Sequence, residues 1–433
     1  MVEKKIRPAI VLLLGAGVFA FGGRGLGAQK KVLENGLTVI LERDESSANT
    51  VLQVLVKGGS RAEPLGKRGL AFLTTRLSVE IPDSGKAQEL VRLATRVSVS
   101  SRGDSSLIGI ECLSNHLEPS LRVLSKILLD PLFSGIRIDA VKRYMDHQSR
   151  VEEDDLVQLG HLAGLRAFFP GVGYGGSAYG DRSSLEAIKS KDIEAYYQEF
   201  FVGPNVIMCF ASDLPESDLL SLVSRYFGRL PSGNPFVPTP LSASQPEEHR
   251  VELERDTKQA FIGLAYRLPG ISRRNYALVT LLESLVGKGQ GSLLWPLRAE
   301  RKLAYNVNSR ATQMQDAGLF EAYLETDPGK SRMAREALRA VLADLSRHGT
   351  TEEELLGARN VAKADSLREN ESKGARAATL AFFEASGLGL EYFNILPSEI
   401  DALTLDEVNS FVQEFLAPER GVEVQVGPKT HGL

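Results

Sequence analysis

The chain has 433 residues, of which 43% are hydrophobic and 24% charged, as in ordinary globular proteins. A chain of this length is expected to form two or more domains rather than a single core. Its formal charge of −4 argues against nucleic-acid binding, which requires a basic face.

The first 27 residues are typical of a secretory signal peptide. Three basic residues precede an apolar run from Ala9 to Phe21, and small residues follow it. The run is too short to span a bilayer comfortably, although an uncleaved anchor remains the alternative. We therefore expect residues 1–27 to be removed, leaving an exported protein, periplasmic or secreted, without stable membrane insertion.

The first half of the chain alternates predicted strands and helices. Strands are expected on both sides of the Asn-Gly turn in VLENGLTVILERD, in TVLQVLVKGG, around the turn of RVSVSSRGDSSLIGIECL, and in GPNVIMCFASDL. Helical spacing of apolar residues marks RGLAFLTTRL (68–77), HLEPSLRVLSKILLDPLF, the stretch from Ile138 to Leu159, IEAYYQEFF and ESDLLSLVSRYFGRL. This mixture indicates an α+β domain.

A segment rich in proline and serine, residues 231–248, separates this half from a second one with a similar order. There QAFIGLAYRLP is a predicted strand, YALVTLLESLVG a helix and LAYNVNSRATQMQDAGLFEAYLET a strand pair, followed by two long helices. The triplet QEF ends a predicted helix in each half, at 198–200 and 413–415, before a proline-containing turn and a strand. We predict a duplicated α+β domain, with residues 28–230 and 249–433 as the two copies.

Residues that could bind a metal or act as nucleophiles form no familiar motif. There is no G-x-S-x-G elbow, and GKGQGSLL (287–294) is interpreted as a turn rather than a phosphate loop. Cys112 and Cys209 lie in apolar, strand-like runs, so we expect buried thiols, with a single disulfide as the alternative. No two histidines stand three to five residues apart, and each is interpreted as a surface or hydrogen-bonded residue; they are His116, His147, His161, His249, His348 and His431.

Two sets of residues have spacings of interest. Phe72, Thr75 and Arg76 lie at i, i+3 and i+4 of the predicted helix 68–77 and share one face, which is the spacing of a zinc-binding helix. Arg298 and Tyr305 lie near the end of the predicted helix SLLWPLRAERK and at the start of the next strand. Both can donate hydrogen bonds to a peptide carbonyl or an oxyanion, although taken alone they are better interpreted as a surface arginine and a strand tyrosine.

Taken together, these segments resemble the pitrilysin/insulinase family of zinc peptidases, in its processing-peptidase-like branch, from about Lys31 to Gly427. LENGLTVILERD and VLVKGGSRAEPLGKRGLAFLTTRL carry the resemblance in the first half, and SLLWPLRAERKLAYNVNS carries it in the second. The resemblance implies an α+β fold of two tandem homologous domains, each a mostly antiparallel sheet packed against helices.

In active members of that family the first helix carries H-x-x-E-H, in which two histidines bind zinc and the glutamate activates water. The equivalent positions here hold Phe72, Thr75 and Arg76. Phenylalanine has no lone pair, threonine is a poor zinc ligand, and arginine places a fixed cation where the metal should lie. We therefore expect no proteolysis by this chain alone.

The third zinc ligand of the family is a glutamate on a later helix. The alignment of YMDHQSRVEEDDL places Gln148 there, with Glu152 or Glu153 as alternatives. We expect no metal site and no cofactor in this chain.

The family's substrate-binding arginine and tyrosine, by contrast, fall on Arg298 and Tyr305 with their seven-residue spacing kept. The match departs at Ala299, because the family's glutamate stands one residue later, at Glu300. Some family members are heterodimers in which one subunit carries H-x-x-E-H and the other this Arg/Tyr pair. The resemblance thus implies a non-catalytic, substrate-binding subunit that acts on peptides with a homologous, zinc-bearing partner. An inactive scaffold and a stand-alone peptide-binding protein remain open.

Overall fold

The computed structural model describes residues 27–429 except 82, 172, 242–245 and 247–248. The predicted signal peptide therefore lies outside the described residues, apart from Gly27. None of the helices that are described is both long and apolar enough to cross a membrane.

The first half folds around a mixed sheet. Its strands are β1 (Gln29–Val32), β2 (Thr38–Arg43), β3 (Asn49–Lys57), β4 (Arg96–Ser101), β5 (Ser105–Leu113) and β6 (Val206–Ser212). Its helices are α1 (Leu70–Leu77), α2 (Ser84–Arg92), α3 (Leu117–Leu129), α4 (Gly135–Asp154), α5 (Leu156–Phe168), α6 (Arg182–Ala187), α7 (Ser190–Phe200) and α8 (Glu216–Phe227). The strand order is β1-β2-β6-β3-β5-β4, and the pairs are antiparallel except for β2 with β6.

The second half contains a smaller sheet of the same kind. Its strands are β7 (Arg250–Glu254), β8 (Ala260–Pro269), β9 (Asn306–Gln313), β10 (Ala317–Thr326) and β11 (Val422–Gly427). Its helices are α9 (Arg273–Val286), α10 (Trp295–Ala299), α11 (Ser331–His348), α12 (Glu352–Glu369), α13 (Lys373–Ala385), α14 (Tyr392–Asp401) and α15 (Leu405–Phe415). The order is β7-β11-β8-β10-β9, with β7 and β11 parallel.

The two sheets correspond strand by strand. The order β2-β6-β3-β5-β4 matches β7-β11-β8-β10-β9, and the parallel pair stands at the same place in both. The QEF triplets end α7 and α15, and each is followed by a short 3-10 turn and then by a strand of the parallel pair, β6 in the first half and β11 in the second. The prediction of two homologous α+β domains with mostly antiparallel sheets is confirmed.

Each sheet buries one face against a helix from the other half. Helix α5 packs on β8, β10 and β11, while α13 packs on β3 and β6. Close approach is possible because α5 carries Gly160, where a Cβ would lie only 2.3 Å from the ring of Phe261. On the other sheet Ala377, Leu380 and Ala381 of α13 share a buried cluster with β-strand side chains. Since one face of each sheet is covered by a helix of the other half, the two halves are expected to unfold together.

Polar side chains anchor α13 to the first sheet. Arg376 donates from Nε to Glu42 Oε1 at 2.8 Å and also pairs with Asp44. Lys373 donates to the carbonyl oxygens of Ser47 and Asn49 at 2.8 and 2.9 Å. Glu42 is only 1% exposed, and burial raises its pKa despite the guanidinium of Arg376. Helix α13 of the second half therefore supplies the guanidinium that pairs with buried Glu42 and with Asp44 of the first half.

The structure divides one predicted helix in two. The stretch Ile138–Leu159 was expected as one helix, but α4 ends at Asp154 and α5 begins at Leu156. Asp155 causes the break, because its Oδ1 accepts hydrogen bonds from Val157 N and Gln158 N, both at 2.9 Å, and so caps α5. This turn directs α5 away from the first half and onto the second sheet.

The two cysteines are buried and free, as predicted. They lie on β5 and β6, with β3 between those strands.

Candidate functional site

Helix α1 begins at a strongly constrained turn. Gly69 precedes it with φ +93°, a left-handed conformation that favours glycine. Oε1 of Glu63 accepts hydrogen bonds from Gly69 N at 3.0 Å and from Ala71 N at 2.9 Å, so it satisfies two free donors at the helix start. Burial raises the pKa of Glu63 to about 8, although these two backbone bonds oppose the shift. The loop before α1 thus fixes where the helix begins.

The first two positions of the degenerate zinc motif point into the protein interior. Phe72 is 2% exposed, and its ring lies edge-on to Tyr179 at 4.9 Å and stacked with Tyr144 at 6.4 Å between centroids. Thr75 is fully buried, and its Oγ1 donates to Ala71 O at 2.8 Å within the same helix. Neither side chain can turn toward a metal without leaving these contacts.

The remaining positions also lack the chemistry of a zinc site. Arg76 forms an ion pair with Glu80 at 2.6 Å, one turn further along the chain. Gln148 is half-buried on α4, one turn after Tyr144 and one turn before Glu152, which accepts a hydrogen bond from Ser177 Oγ. Within the described residues, no group of three or more His, Cys, Asp or Glu side chains could hold a metal ion. The residues at the family's zinc positions therefore do not fit zinc.

A large cavity of about 1130 Å³ lies between the two halves, and we call it the chamber. The β4–β5 hairpin and α5 line it from the first half, and α9, β9, α12 and α13 line it from the second. The β4–β5 turn and the β9–β10 turn meet at the edge of the chamber, where Gln315 N donates to Asp104 at 2.9 Å. Arg61, from the segment after β3, pairs there with Asp316. Phe72, Thr75 and Arg76 are not among its lining residues.

Arg298 lies on a separate, shallow depression beside the chamber. Its guanidinium stacks over the ring of Trp295 at 5.0 Å from the centroid. The depression and the chamber share three lining residues, Lys288, Asp365 and Glu369, so the two spaces adjoin. Arg298 thus lies at the rim of the chamber, with its side chain exposed.

Tyr305 is also at the surface, with 57% of its area exposed. Its backbone N donates to Glu325 O at 2.8 Å, which ties it to β10, and the next three residues line the same depression as Arg298. Helix α10 is shorter than predicted, because it ends at Ala299 and the chain turns at Lys302, whose φ is +50°. No hydrogen bond or ion pair joins Arg298 to Tyr305 in the described part of the chain. Both side chains are exposed, so a ligand can reach them.

One polar cluster in the chamber wall was not predicted from the sequence. His161 on α5 pairs through Nδ1 with Glu321 on β10, and its Nε2 lies 3.3 Å from Thr312 Oγ1 on β9. Arg310 donates from Nε to the same carboxylate at 2.9 Å. In sequence His161 stands alone, and its partners are about 150 residues away. The packing of α5 on the second sheet brings these residues together, and no local sequence pattern predicts it.

Comparisons with known proteins agree with this architecture. Residues 38–164 match the family profile "Insulinase (Peptidase family M16)", and residues 187–361 match "Peptidase M16 inactive domain". A "non-peptidase homolog YmxG" of Helicobacter pylori is 23% identical over 93% of this chain and 94% of its own length. The "ubiquinol-cytochrome-c reductase complex core protein I, mitochondrial" of Euglena gracilis is 23% identical over 82% of this chain and 81% of its own.

Among solved structures, a "peptidase M16 inactive domain" from Pseudomonas fluorescens superimposes with a TM-score of 0.85. It is 22% identical, and the match covers 94% of this chain and 98% of that one. At this identity the structural match establishes the fold. The two profiles describe the same family, and together they cover more than half of the chain. The chain belongs to the insulinase family of peptidases (family M16), as a member that lacks the residues of the family's zinc motif.

Proposed function

We propose that this protein is the non-catalytic, substrate-binding subunit of an exported, heterodimeric zinc peptidase that degrades or processes peptides. A contrast between two sets of positions carries the proposal. The zinc and general-base positions are occupied by Phe72, Thr75 and Arg76, two of them buried and the third paired with Glu80. The substrate-binding positions, Arg298 and Tyr305, retain hydrogen-bond donors on exposed side chains. Arg298 lines the depression beside the chamber, and Tyr305 directly precedes residues that line it.

The exposure of Arg298 and Tyr305 suits residues that act on a substrate bound at the zinc site of another subunit. An arginine and a tyrosine hydroxyl can hold a peptide carbonyl and stabilise the oxyanion that develops when zinc-activated water attacks it. The zinc and the general base would come from a homologous partner carrying H-x-x-E-H. The chamber, at about 1130 Å³, is large enough for a stretch of peptide and adjoins the depression at Arg298.

Export is part of the same proposal and depends on the basic and apolar pattern of residues 1–27. The Helicobacter pylori relative, which is named a non-peptidase homologue, supports the absence of independent peptidase activity. A second candidate function is a structural subunit without a role in hydrolysis. The Euglena gracilis relative, named as a core protein of a respiratory complex, favours it.

The first experiment separates this chain from an active peptidase. The purified protein is expected to hold no stoichiometric zinc by elemental analysis and to leave an unstructured peptide uncleaved. Zinc at one per chain, with peptide hydrolysis abolished by a chelator, would refute the proposal.

The second experiment tests the partnership. The chain, tagged and co-expressed with an H-x-x-E-H homologue from the same genome, is expected to co-purify with it in equal amounts. The pair should cleave peptides that neither chain cleaves alone. A homologue that is fully active without this chain would favour the structural role.

A further inference from the structure

A hydroxyl, an imidazole and a carboxylate meet in the chamber wall, although they come from three elements of both halves. They are Thr312 on β9, His161 on α5 and Glu321 on β10. His161 and Thr312 line the chamber, whereas Glu321 lies behind them and is nearly inaccessible. The cluster is separate from Arg298 and Tyr305 and does not depend on the function proposed above.

The carboxylate at the back of the cluster is held in its ionised form. Burial would raise the pKa of Glu321, but the ring of His161 and the guanidinium of Arg310 outweigh burial, and the pKa lies below its ordinary value. Arg310 is itself fixed, because its Nη2 donates to Val157 O at 2.8 Å. Gly164 leaves room for the carboxylate, since a Cβ there would lie 3.0 Å from Glu321 Oε1. Glu321 can therefore only accept hydrogen bonds.

This arrangement sets the tautomer of His161. Because ionised Glu321 accepts and does not donate, Nδ1 of His161 must carry the hydrogen of their bond. The lone pair of the neutral ring is then on Nε2, which faces Thr312 Oγ1 at 3.3 Å. A hydroxyl next to an imidazole that a buried carboxylate orients is the arrangement by which proteins activate an oxygen nucleophile.

We propose that Thr312, His161 and Glu321 form a second, metal-independent site that hydrolyses activated carboxylic esters in the chamber. Thr312 Oγ1 bonds to the carbonyl carbon, its proton passes to His161 Nε2, and the bond to the leaving oxygen breaks as that oxygen takes the proton. Water then attacks the Thr312 ester, gives its proton to His161 Nε2, and the carboxylic acid leaves as the proton returns to Thr312. The net reaction converts an ester and water into an acid and an alcohol.

Esters are favoured over peptides for two reasons. An alkoxide or phenoxide leaves more readily than an amide nitrogen, so the step needs less help from a proton donor. The chamber wall also offers apolar contacts for an acyl chain, from Ala378, Phe382 and Phe383 of α13.

The test uses the full mature chain and two probes, a fluorophosphonate that labels activated hydroxyls and the ester p-nitrophenyl butyrate. Peptide mapping is expected to find the label on Thr312. Ester hydrolysis should fall about 10²–10⁴-fold in Thr312→Val, which keeps the β-branched shape, and in His161→Gln, while Thr312→Ser retains labelling. Glu321→Gln should lower the rate and change its pH profile. His147→Gln, on the exposed surface of α4, serves as the control for histidine replacement.

Several results would overturn the assignment. Label on another residue, or hydrolysis in Thr312→Val equal to that of the unchanged protein, would exclude Thr312 as the nucleophile. If His161→Gln or Glu321→Gln unfolds the protein, the comparison of Thr312→Val with Thr312→Ser decides alone, because these two changes leave the ion pairs of the cluster intact.

Discussion

Replacing Phe72 with alanine probes how the degenerate zinc helix now contributes to the fold. The ring is 2% exposed and contacts Tyr179 and Tyr144. Removing a buried phenylalanine side chain costs roughly 3–5 kcal/mol of unfolding free energy, because the cavity left behind is only partly refilled. Phe72→Leu, which keeps most of the apolar volume, should cost much less.

Helices α5 and α13 each pack on the sheet of the other half, and this packing decides whether the lost stability affects both halves or only the first. The chain has a single tryptophan, Trp295, which lies in the second half and reports on that half by fluorescence. If both halves unfold as one unit, an unfolding entropy near 2.1 cal/mol/K per residue converts the loss into a melting-point drop of about 4–6 °C. The same loss confined to the first half would lower that half's melting point by about 7–12 °C.

Thermal unfolding of Phe72→Ala is therefore followed by circular dichroism and by Trp295 fluorescence. We expect one transition, shifted equally in both signals, because each sheet is covered by a helix of the other half. An early transition in circular dichroism with an unchanged fluorescence midpoint would refute the coupling. A loss below about 1 kcal/mol would contradict the packing of Phe72 itself.

Two further predictions concern buried charges. Arg376→Ala leaves Glu42, which is 1% exposed, without its paired cation, and should lower the unfolding free energy measured in urea by roughly 3–5 kcal/mol. Adding Glu42→Gln to this variant should recover part of the lost stability. Equal stability of Arg376→Ala and the unchanged protein would contradict the anchoring role of Arg376. Glu63 has a folded-state pKa of about 8 against an ordinary value of 4.5, so its contribution is fully present below about pH 4.5 and is lost as the pH rises through 8. Glu63→Gln should remove a slope of up to ~1.4 kcal/mol per pH unit from the stability profile between these limits, and parallel profiles would contradict the raised pKa.

Local features of the fold could be predicted from the sequence because their causes are local. The Asn-Gly turn before β2 and the helical spacing of α1 depend on neighbouring residues, and both elements form as expected. Strand β3 also forms, although residues on both of its faces are buried. The duplication was also visible, since the QEF triplets recur before equivalent strands. The break at Asp155 was not, because its capping geometry interrupts an apolar pattern that continues across it.

Long-range placement could not be predicted. The partners of His161 are about 150 residues away, and those of Arg376 more than 300, so no window of sequence contains either cluster. The spacing of Arg298 and Tyr305 was evident, whereas the exposure of their side chains depends on the short α10 and the turn at Lys302. These features arise from how the two halves pack and from backbone conformation, which residue patterns do not specify.

The most direct test of the proposed function measures peptide turnover by this chain together with its zinc-bearing partner. Arg298→Ala and Tyr305→Phe are compared with Arg301→Ala, an exposed arginine one turn further on with no assigned role. A functional pair predicts that kcat/KM falls about 10–1000-fold in the first two variants, with zinc content and assembly unchanged and Arg301→Ala unaffected. Unchanged turnover in both Arg298→Ala and Tyr305→Phe would contradict a substrate-binding role and favour a structural subunit.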